Sequence, residues 1–348
     1  MSVHEDVRKR ALVTGATGYI ASHLIPALVA DGWRVLATGR RREPPVFPVG
    51  VDYASVDLVR DDPWAFSGLM ESVTHVFHLA GASSSLSDQD EMEKTNVDGT
   101  RRILQAMKGW PIERFVHMSS TSVYGEAVQL PSPVPEDVER HPSRGYGKAK
   151  EGAERVVEEY AAEHGVPTVV VRPVTVYGPG NVKLLASTIL DVAIERFAGL
   201  DRIAMDETPI EQRLVHVDDV VAASIHLATA DGVAGRAFNV VLPEYPSSHQ
   251  VATMVADGFR LPIELVADPD GGFTHEARSE AHRRMVEAGL VPSILLSKER
   301  FRFLRKSNRN NRLSVDALLG TGFEFSQTDL PASIARTIDW YRKHNWIV

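Results

Sequence analysis

The chain has 348 residues, 43% of them hydrophobic, a formal net charge of -8 and no cysteine. That length allows one large domain or two moderate ones. The acidic balance, with no dominant basic block, argues against nucleic acid as the main partner, and the missing cysteines exclude disulfides, thiolate nucleophiles and cysteine metal sites. No signal-like apolar core opens the chain and no run approaches the ~18 apolar residues of a membrane span, so a cytoplasmic protein with no membrane partner is expected.

Short apolar runs ending in glycine or small residues recur at 11–15, 34–39, 74–81, 115–119 and 169–173, with helix-like stretches between them. Strands that are apolar throughout, alternating with helices, predict an α/β fold: a doubly wound parallel sheet of the Rossmann kind, covered on both faces. This dinucleotide-binding domain is expected over 1–180 and 215–243. Pro26 falls inside the first predicted helix, where a mild kink is expected and no break.

Between the first strand and that helix lies Thr14-Gly15-Ala16-Thr17-Gly18-Tyr19-Ile20-Ala21. Gly15 permits a tight turn, Gly18 lets backbone approach a pyrophosphate, and Ala21 is small enough for close helix packing. The helix amino terminus adds unpaired N–H groups and a positive dipole end. Taken alone, the pattern also describes a purely structural turn.

The second run ends at Gly39, where dinucleotide folds commonly carry an acid for the adenosine ribose, and Arg40, Arg41 and Arg42 follow. A carboxylate there would repel a 2'-phosphate, since even unit charges at ~4 Å and an effective dielectric of ~20 interact by about 4 kcal/mol. The missing acid and the added guanidinium groups predict NADP (NADPH) ahead of NAD. The alternative is a solvated basic turn with one arginine stacked on adenine, which admits NAD. Asp57 closes the third apolar segment, as a partner for the adenine amino group or as a helix N-cap. His75 and His78 face opposite sides of a strand, which argues against a shared metal.

Tyr146-Gly-Lys-Ala-Lys150 begins a predicted helix, and the spacing of four stacks phenol and ammonium on one face, one turn apart. A phenol with a pKa near ~10 needs about 4 kcal/mol of preferential phenolate stabilisation to fall by ~3 units, which a fixed cation supplies. The pair predicts hydroxyl or carbonyl chemistry. Farther on, 215–228 reads as a strand leading into a helix and 238–241 as another strand. Asp218 and Asp219 sit where that helix begins and can cap it, so no metal is assigned. Residues 181–214 and 244–335 are expected to form a smaller discontinuous substrate-binding region, and 336–348 a C-terminal tail. Within it, 298–312 carries seven basic residues against one acidic; it reads as a phosphate-binding stretch or as a solvated helix face with Phe301 and Leu304 turned inward.

In order, the chain carries TGxxGxxA at 14–21, His78-Leu-Ala-Gly81, Asn96-Val-Asp-Gly-Thr100, Ser119 to Gly125, YxxxK at 146–150, Arg172-Pro-Val-Thr-Val-Tyr-Gly-Pro-Gly180 and His216-Val-Asp-Asp-Val220. Together these resemble the extended short-chain dehydrogenase/reductase family over nearly the whole chain. The resemblance implies Tyr146 as general acid/base and Lys150 as the residue that lowers its pKa and holds the nicotinamide ribose. It implies Ser120 as partner of the substrate oxygen, with Ser119 and Thr121 as alternatives, and Asn96 in a structural or proton-relay role. Gly15, Thr17, Gly18, Tyr19, Ile20, Arg40, Arg41, Asp57, Leu58, Leu79, Ala80, Gly81, Pro173 and Val176 are then the expected cofactor-binding residues. A homodimer is expected by analogy.

Two departures narrow the reaction. Family dehydratases and decarboxylases place an acid just before Val-Tyr-Gly, where this chain has Thr121 and Ser122, hydroxyls that replace a carboxylate poorly at neutral pH. Nucleotide-sugar members grip a diphosphate with an arginine where this chain has Gln212, and Arg213 points to the other face of a strand. The expected function is an NADP(H)-dependent oxidoreductase for a ketone or secondary alcohol on a sugar-like or secondary-metabolite substrate. The alternatives are a nucleotide-sugar epimerase with tightly bound NAD(P) and a non-enzymatic dinucleotide sensor.

Overall fold

The computed structural model describes residues 9–62, 64–82, 89–125, 130–143, 145–269, 273–292, 299–305 and 312–347. Its strands are β1 (Arg10–Thr14), β2 (Arg34–Gly39), β3 (Val51–Ser55), β4 (His75–His78), β5 (Arg114–Met118), β6 (Thr168–Pro173), β7 (Thr175–Tyr177), β8 (Ile203–Met205), β9 (Leu214–His216), β10 (Arg236–Val240) and β11 (Ile263–Leu265). Seven of them form one sheet in the order β10-β6-β5-β4-β1-β2-β3, with every pairing parallel. The expected doubly wound architecture is therefore present. Inner strands such as β4 and β6 are buried along their whole length, as parallel strands covered on both faces must be.

The chain divides into two compact units. The first takes 1–174, 219–240 and 313–324; the second takes 175–218, 241–312 and 325–348. In the first unit the helix Tyr19–Ala30 runs unbroken through Pro26, in line with the expected absence of a break. Helices Gly99–Ala106 and Gly145–His164 supply further layers, and Leu12, Val76, Ile103, Leu104, Phe115 and Val157 belong to one buried cluster. β3 carries a weaker apolar signal because it is a half-exposed edge strand.

The second unit packs helices Leu185–Phe197, Ser248–Gly258, His275–Glu287 and Leu330–Lys343 around a core containing Ile189, Val255, Met285 and Ile338. Residues 336–348, expected as a tail, instead hold most of the last of these helices. Its Leu330, Ile334, Ile338 and Tyr341 are buried and share one face. β9, expected within the dinucleotide-binding domain, pairs with β7 in a separate two-stranded sheet, and β8 pairs with β11. Two ion pairs are buried on the Leu185–Phe197 helix: Asp191 with Arg278, and Glu195 with Arg300 at 2.7 Å.

Candidate active site

The glycine turn follows β1 directly. Gly15 has φ +68°, in the left-handed region, and a Cβ built there would stand 2.7 Å from the Ala80 nitrogen and 2.9 Å from the Leu79 carbonyl carbon. Only glycine lets the end of β4 lie against this turn. The turn closes by Gly18 N–H donating to the Gly15 carbonyl at 2.9 Å, while Ala16 N–H donates to the Thr38 carbonyl. Gly18 is the N-cap of the Tyr19–Ala30 helix, has no side chain to cap it, and no acid occupies the first turn. The first N–H groups thus have no side-chain cap at the positive dipole end, which fits a dinucleotide pyrophosphate. Ala80 N–H donates to the Thr14 hydroxyl at 3.2 Å, so β1 and the Leu79–Gly81 segment are tied together. Leu58 is buried and would meet a Cβ at Gly99 at 3.4 Å.

Ser120, Tyr146, Lys150 and Asn96 come together in the same unit. Ser120 caps a short 3-10 turn, Thr121–Tyr124, by accepting from Ser122 N–H at 3.2 Å. Against that turn lies the start of the Gly145–His164 helix, brought close because position 147 has no side chain: a Cβ there would stand 2.6 Å from the Ser122 carbonyl oxygen. The Ser120 hydroxyl lies near enough to the Tyr146 phenol to favour its ionised form. Lys150 is buried, donates to the Met118 carbonyl at 2.7 Å, and holds its ammonium 5.9 Å from the centre of the Tyr146 ring. Asn96 lies in a π-helical turn, Lys94–Asp98, a device that often marks functional positions. Its amide donates to the Met92 and Ala82 carbonyls at 2.8 and 3.1 Å, and its Oδ1 has no hydrogen-bond partner among the described residues. A Cβ at Gly81 would meet that Oδ1 at 2.5 Å and the Lys150 ammonium at 3.2 Å, so both groups converge on Gly81.

The electrostatics differ from the sequence expectation in one respect. Tyr146 is half-buried as a residue, yet the dry surroundings of its hydroxyl push the phenol up to about 12, against the opposing effect of Ser120. Burial outweighs the Ser120 interaction, so the phenol is a proton donor at neutral pH. Burial also lowers Lys150 to about 8, opposed by Glu154. A lysine depressed from 10.5 costs the fold stability while charged, and that cost fades as pH rises from about 8 toward the unfolded value. In cofactor-free protein, wild type should therefore gain on Lys150→Met by on the order of 3 kcal/mol between those limits. Denaturant titrations of both proteins across the alkaline range check this; a constant gap contradicts it.

Sequence reasoning missed the support beneath this site, although Glu154 repeats the spacing from Tyr146 to Lys150 once more. Glu154, fully buried, accepts from Arg172 Nε at 2.9 Å and Nη2 at 2.7 Å, and from Arg140 at 2.5 Å. Burial pushes this carboxyl up, but Arg172 and Arg140 outweigh it and hold it below the ordinary range. Arg172 also donates to the Tyr124 hydroxyl and the Glu136 carbonyl, and Tyr124 donates to Asn239 Oδ1 at 2.6 Å. Every buried charge here has a partner.

Beyond β2, Arg40, Arg41 and Arg42 are exposed, and no acid among the described residues pairs with them. No helix begins after Asp57, so the expected N-cap is absent; its Oδ1 instead accepts from Val59 and Arg60 N–H at 2.9 and 3.3 Å within a turn. Thr17 is exposed, and Tyr19 and Ile20 are half-buried in the first turn of their helix. Pro173 ends β6 opposite Val240 in the first unit, whereas Val176 lies on β7 of the second, opposite Val215. His75 packs edge-on against Trp33 at 4.8 Å; His78 bridges the Thr14 and Thr100 hydroxyls. No cluster of three potential metal ligands occurs among the described residues, and none of their helices is long and apolar enough to cross a membrane.

The basic stretch 298–312 lies partly outside the described residues, but four of its arginines are paired within their own unit. Arg300 binds Glu195, Arg302 reaches Glu299 at 3.7 Å, Arg305 reaches Asp206 at 3.2 Å and Arg312 binds Glu211 at 2.7 Å. Gln212 is buried, and its amide donates to the Ile210 and Leu304 carbonyls.

The chain belongs to the NAD dependent epimerase/dehydratase family, whose model matches residues 11–241. The GDP-6-deoxy-D-mannose reductase of Pseudomonas aeruginosa is 26% identical over 75% of this chain and 84% of its own length. The 4-hydroxy-2-methyl-3-oxo-4-farnesyl-3,4-dihydroquinoline-1-oxide ketoreductase of Stigmatella aurantiaca is 29% identical over 55% of this chain and 58% of its own. Among solved structures, the UDP-glucose 4-epimerase of Thermotoga maritima with UDP-glucose has a TM-score of 0.71 at 21% identity, covering 96% of this chain and 99% of that one. That likeness speaks for the fold. Relatives of this extended short-chain dehydrogenase/reductase type include both reductases and epimerases.

Proposed function

We propose that this protein is an NADP(H)-dependent oxidoreductase that reduces a ketone, or oxidises a secondary alcohol, on a sugar-like or secondary-metabolite substrate. The observation that carries the reading is the Tyr146 phenol near the Ser120 hydroxyl with the Lys150 ammonium beside its ring. A bound nicotinamide supplies the hydride. Tyr146 delivers its proton to the carbonyl oxygen, which Ser120 orients, and Lys150 stabilises the phenolate left behind. Asn96 offers an open acceptor where the Lys150 ammonium also converges, a suitable place for a water that returns the proton.

Gly15, Thr17, Gly18, Tyr19 and Ile20 would hold the pyrophosphate side of the cofactor, with Leu58, Leu79, Ala80 and Gly81 along its path and Pro173 and Val176 near the nicotinamide. Arg40 and Arg41, with no acidic partner among the described residues, are available to a 2'-phosphate. Hydroxyls at Thr121 and Ser122 disfavour elimination. The paired arginines of 300–312 and the neutral Gln212 disfavour a diphosphate-bearing substrate. The second unit is the substrate-binding region in this reading, and the working form is a cytoplasmic homodimer.

The second reading, a nucleotide-sugar epimerase, is supported by the fold-level likeness to UDP-sugar epimerases. Purified protein given NADPH and a panel of ketones should lose reduced-nicotinamide absorbance in proportion to alcohol formed. Interconversion of UDP-glucose and UDP-galactose without net absorbance change would establish the epimerase instead.

A further inference from the structure

β2 ends at Gly39, the position from which a ribose-binding acid would project. Across the sheet, Ala37 stands opposite Tyr53 and Gly39 opposite Ser55. The Tyr53 hydroxyl reaches over this strand end and shares its one proton between the Arg41 carbonyl at 2.7 Å and the Gly39 carbonyl at 3.0 Å. A Cβ at position 39 would stand 3.2 Å from that hydroxyl and 3.5 Å from Thr17 Cγ2, a side chain of the glycine turn. A side chain at position 39 would therefore crowd the phenol on one side, while Thr17 stands at ordinary contact distance on the other. Beyond Tyr53, the Phe47 ring packs at 5.8 Å and backs the phenol from the loop side.

We propose that Tyr53 is the residue that sets the cofactor choice, by two linked effects. It crowds the place from which an acidic side chain at position 39 would project, and it ties down the backbone of the Arg40–Arg42 turn, so that a 2'-phosphate meets guanidinium groups on a fixed base. Side chains on a pinned turn lose less freedom on binding, and Arg40 and Arg41 are left to the ligand. The inference rests on the NADP reading. It assigns a positioning role, because Tyr53 acts through the arginines and through position 39.

The test compares dissociation constants for NADPH and NADH, by calorimetry, in wild type, Tyr53→Phe and Gly39→Asp/Tyr53→Phe, with a thermal melt to show that each is folded. Removing the hydroxyl should weaken NADPH about fivefold, as expected for one net hydrogen bond, and change NADH by less than about twofold. With the hydroxyl gone, an aspartate at position 39 has room, and the double variant should bind NADH more tightly than NADPH. If wild type prefers NADH, the NADP reading fails and this inference with it. If wild type prefers NADPH and Tyr53→Phe keeps the same ratio while folded, only the role of Tyr53 is overturned. Should Tyr53→Phe not fold, Gly39→Asp with the phenol kept must gain no NADH affinity over wild type; a folded Gly39→Asp protein that binds NADH more tightly than wild type overturns the proposal.

Discussion

Tyr146→Phe should lower turnover by about two to four orders of magnitude, the range a positioned acid/base group contributes. The substitution removes one oxygen and leaves the ring, Ser120, Lys150 and the glycine turn in place. Because burial keeps the phenol up at about 12, the lost group is a protonated donor at neutral pH. Substrate then has only the Ser120 hydroxyl, whose own proton leaves with far more difficulty. Dinucleotide affinity should stay within about threefold, since the turn that would hold the pyrophosphate includes no atom of Tyr146. Steady-state rates together with calorimetric binding separate the two quantities. Ordinary turnover in a folded Tyr146→Phe protein would remove Tyr146 from the chemistry.

The largest expected loss of stability follows from Glu154→Gln. The carboxylate is fully buried between Arg172, itself 3% exposed, and Arg140. Removing its charge leaves the Arg172 guanidinium in a dry site facing only neutral acceptors, the new amide oxygen, the Tyr124 hydroxyl and the Glu136 carbonyl, a change that costs about 3–5 kcal/mol. Replacing both partners with apolar side chains, Glu154→Leu with Arg172→Met, should recover most of that loss, because the uncompensated charge goes too. The sign with pH follows from the carboxyl being held below its ordinary value, mainly by Arg172 against the pull of burial. Its contribution is complete above the unfolded carboxyl value of about 4.3 and fades as pH falls through the lower folded value. Urea midpoints of the three proteins at neutral and acid pH should show this; equal midpoints at pH 7 contradict the account.

The Tyr146–Lys150 pair was legible because a spacing of four on a helix fixes who stands beside whom, and the glycine turn because a positive φ and close backbone packing leave one residue type. The inner strands were legible as unbroken apolar runs. β3 gave less, being an edge strand whose polar residues face solvent. Pairings across long separations were out of reach: Arg300 meets Glu195 and Arg312 meets Glu211, each about a hundred residues distant, so a stretch that reads as seven free cations has arginines already neutralised. Tyr53 over Gly39 depends on parallel register between two strands, which no local spacing states. The C-terminal helix was readable and overlooked, since Leu330, Ile334, Ile338 and Tyr341 fall at helical intervals.

The interleaving of the two units bears on how the protein is made. Six strands of the large sheet are complete by residue 173, but the seventh spans 236–240, and 313–324 returns to the same unit. Asn239, from that last strand, receives the Tyr124 hydroxyl and donates to the Val134 and Ser314 carbonyls. At roughly 5–20 residues per second, synthesis leaves the nascent sheet without these partners for on the order of 10 s. During that interval β6 is an open edge, and Arg172 and Tyr124 wait for the residue that completes their network. The first unit therefore cannot close before synthesis has passed Ser314.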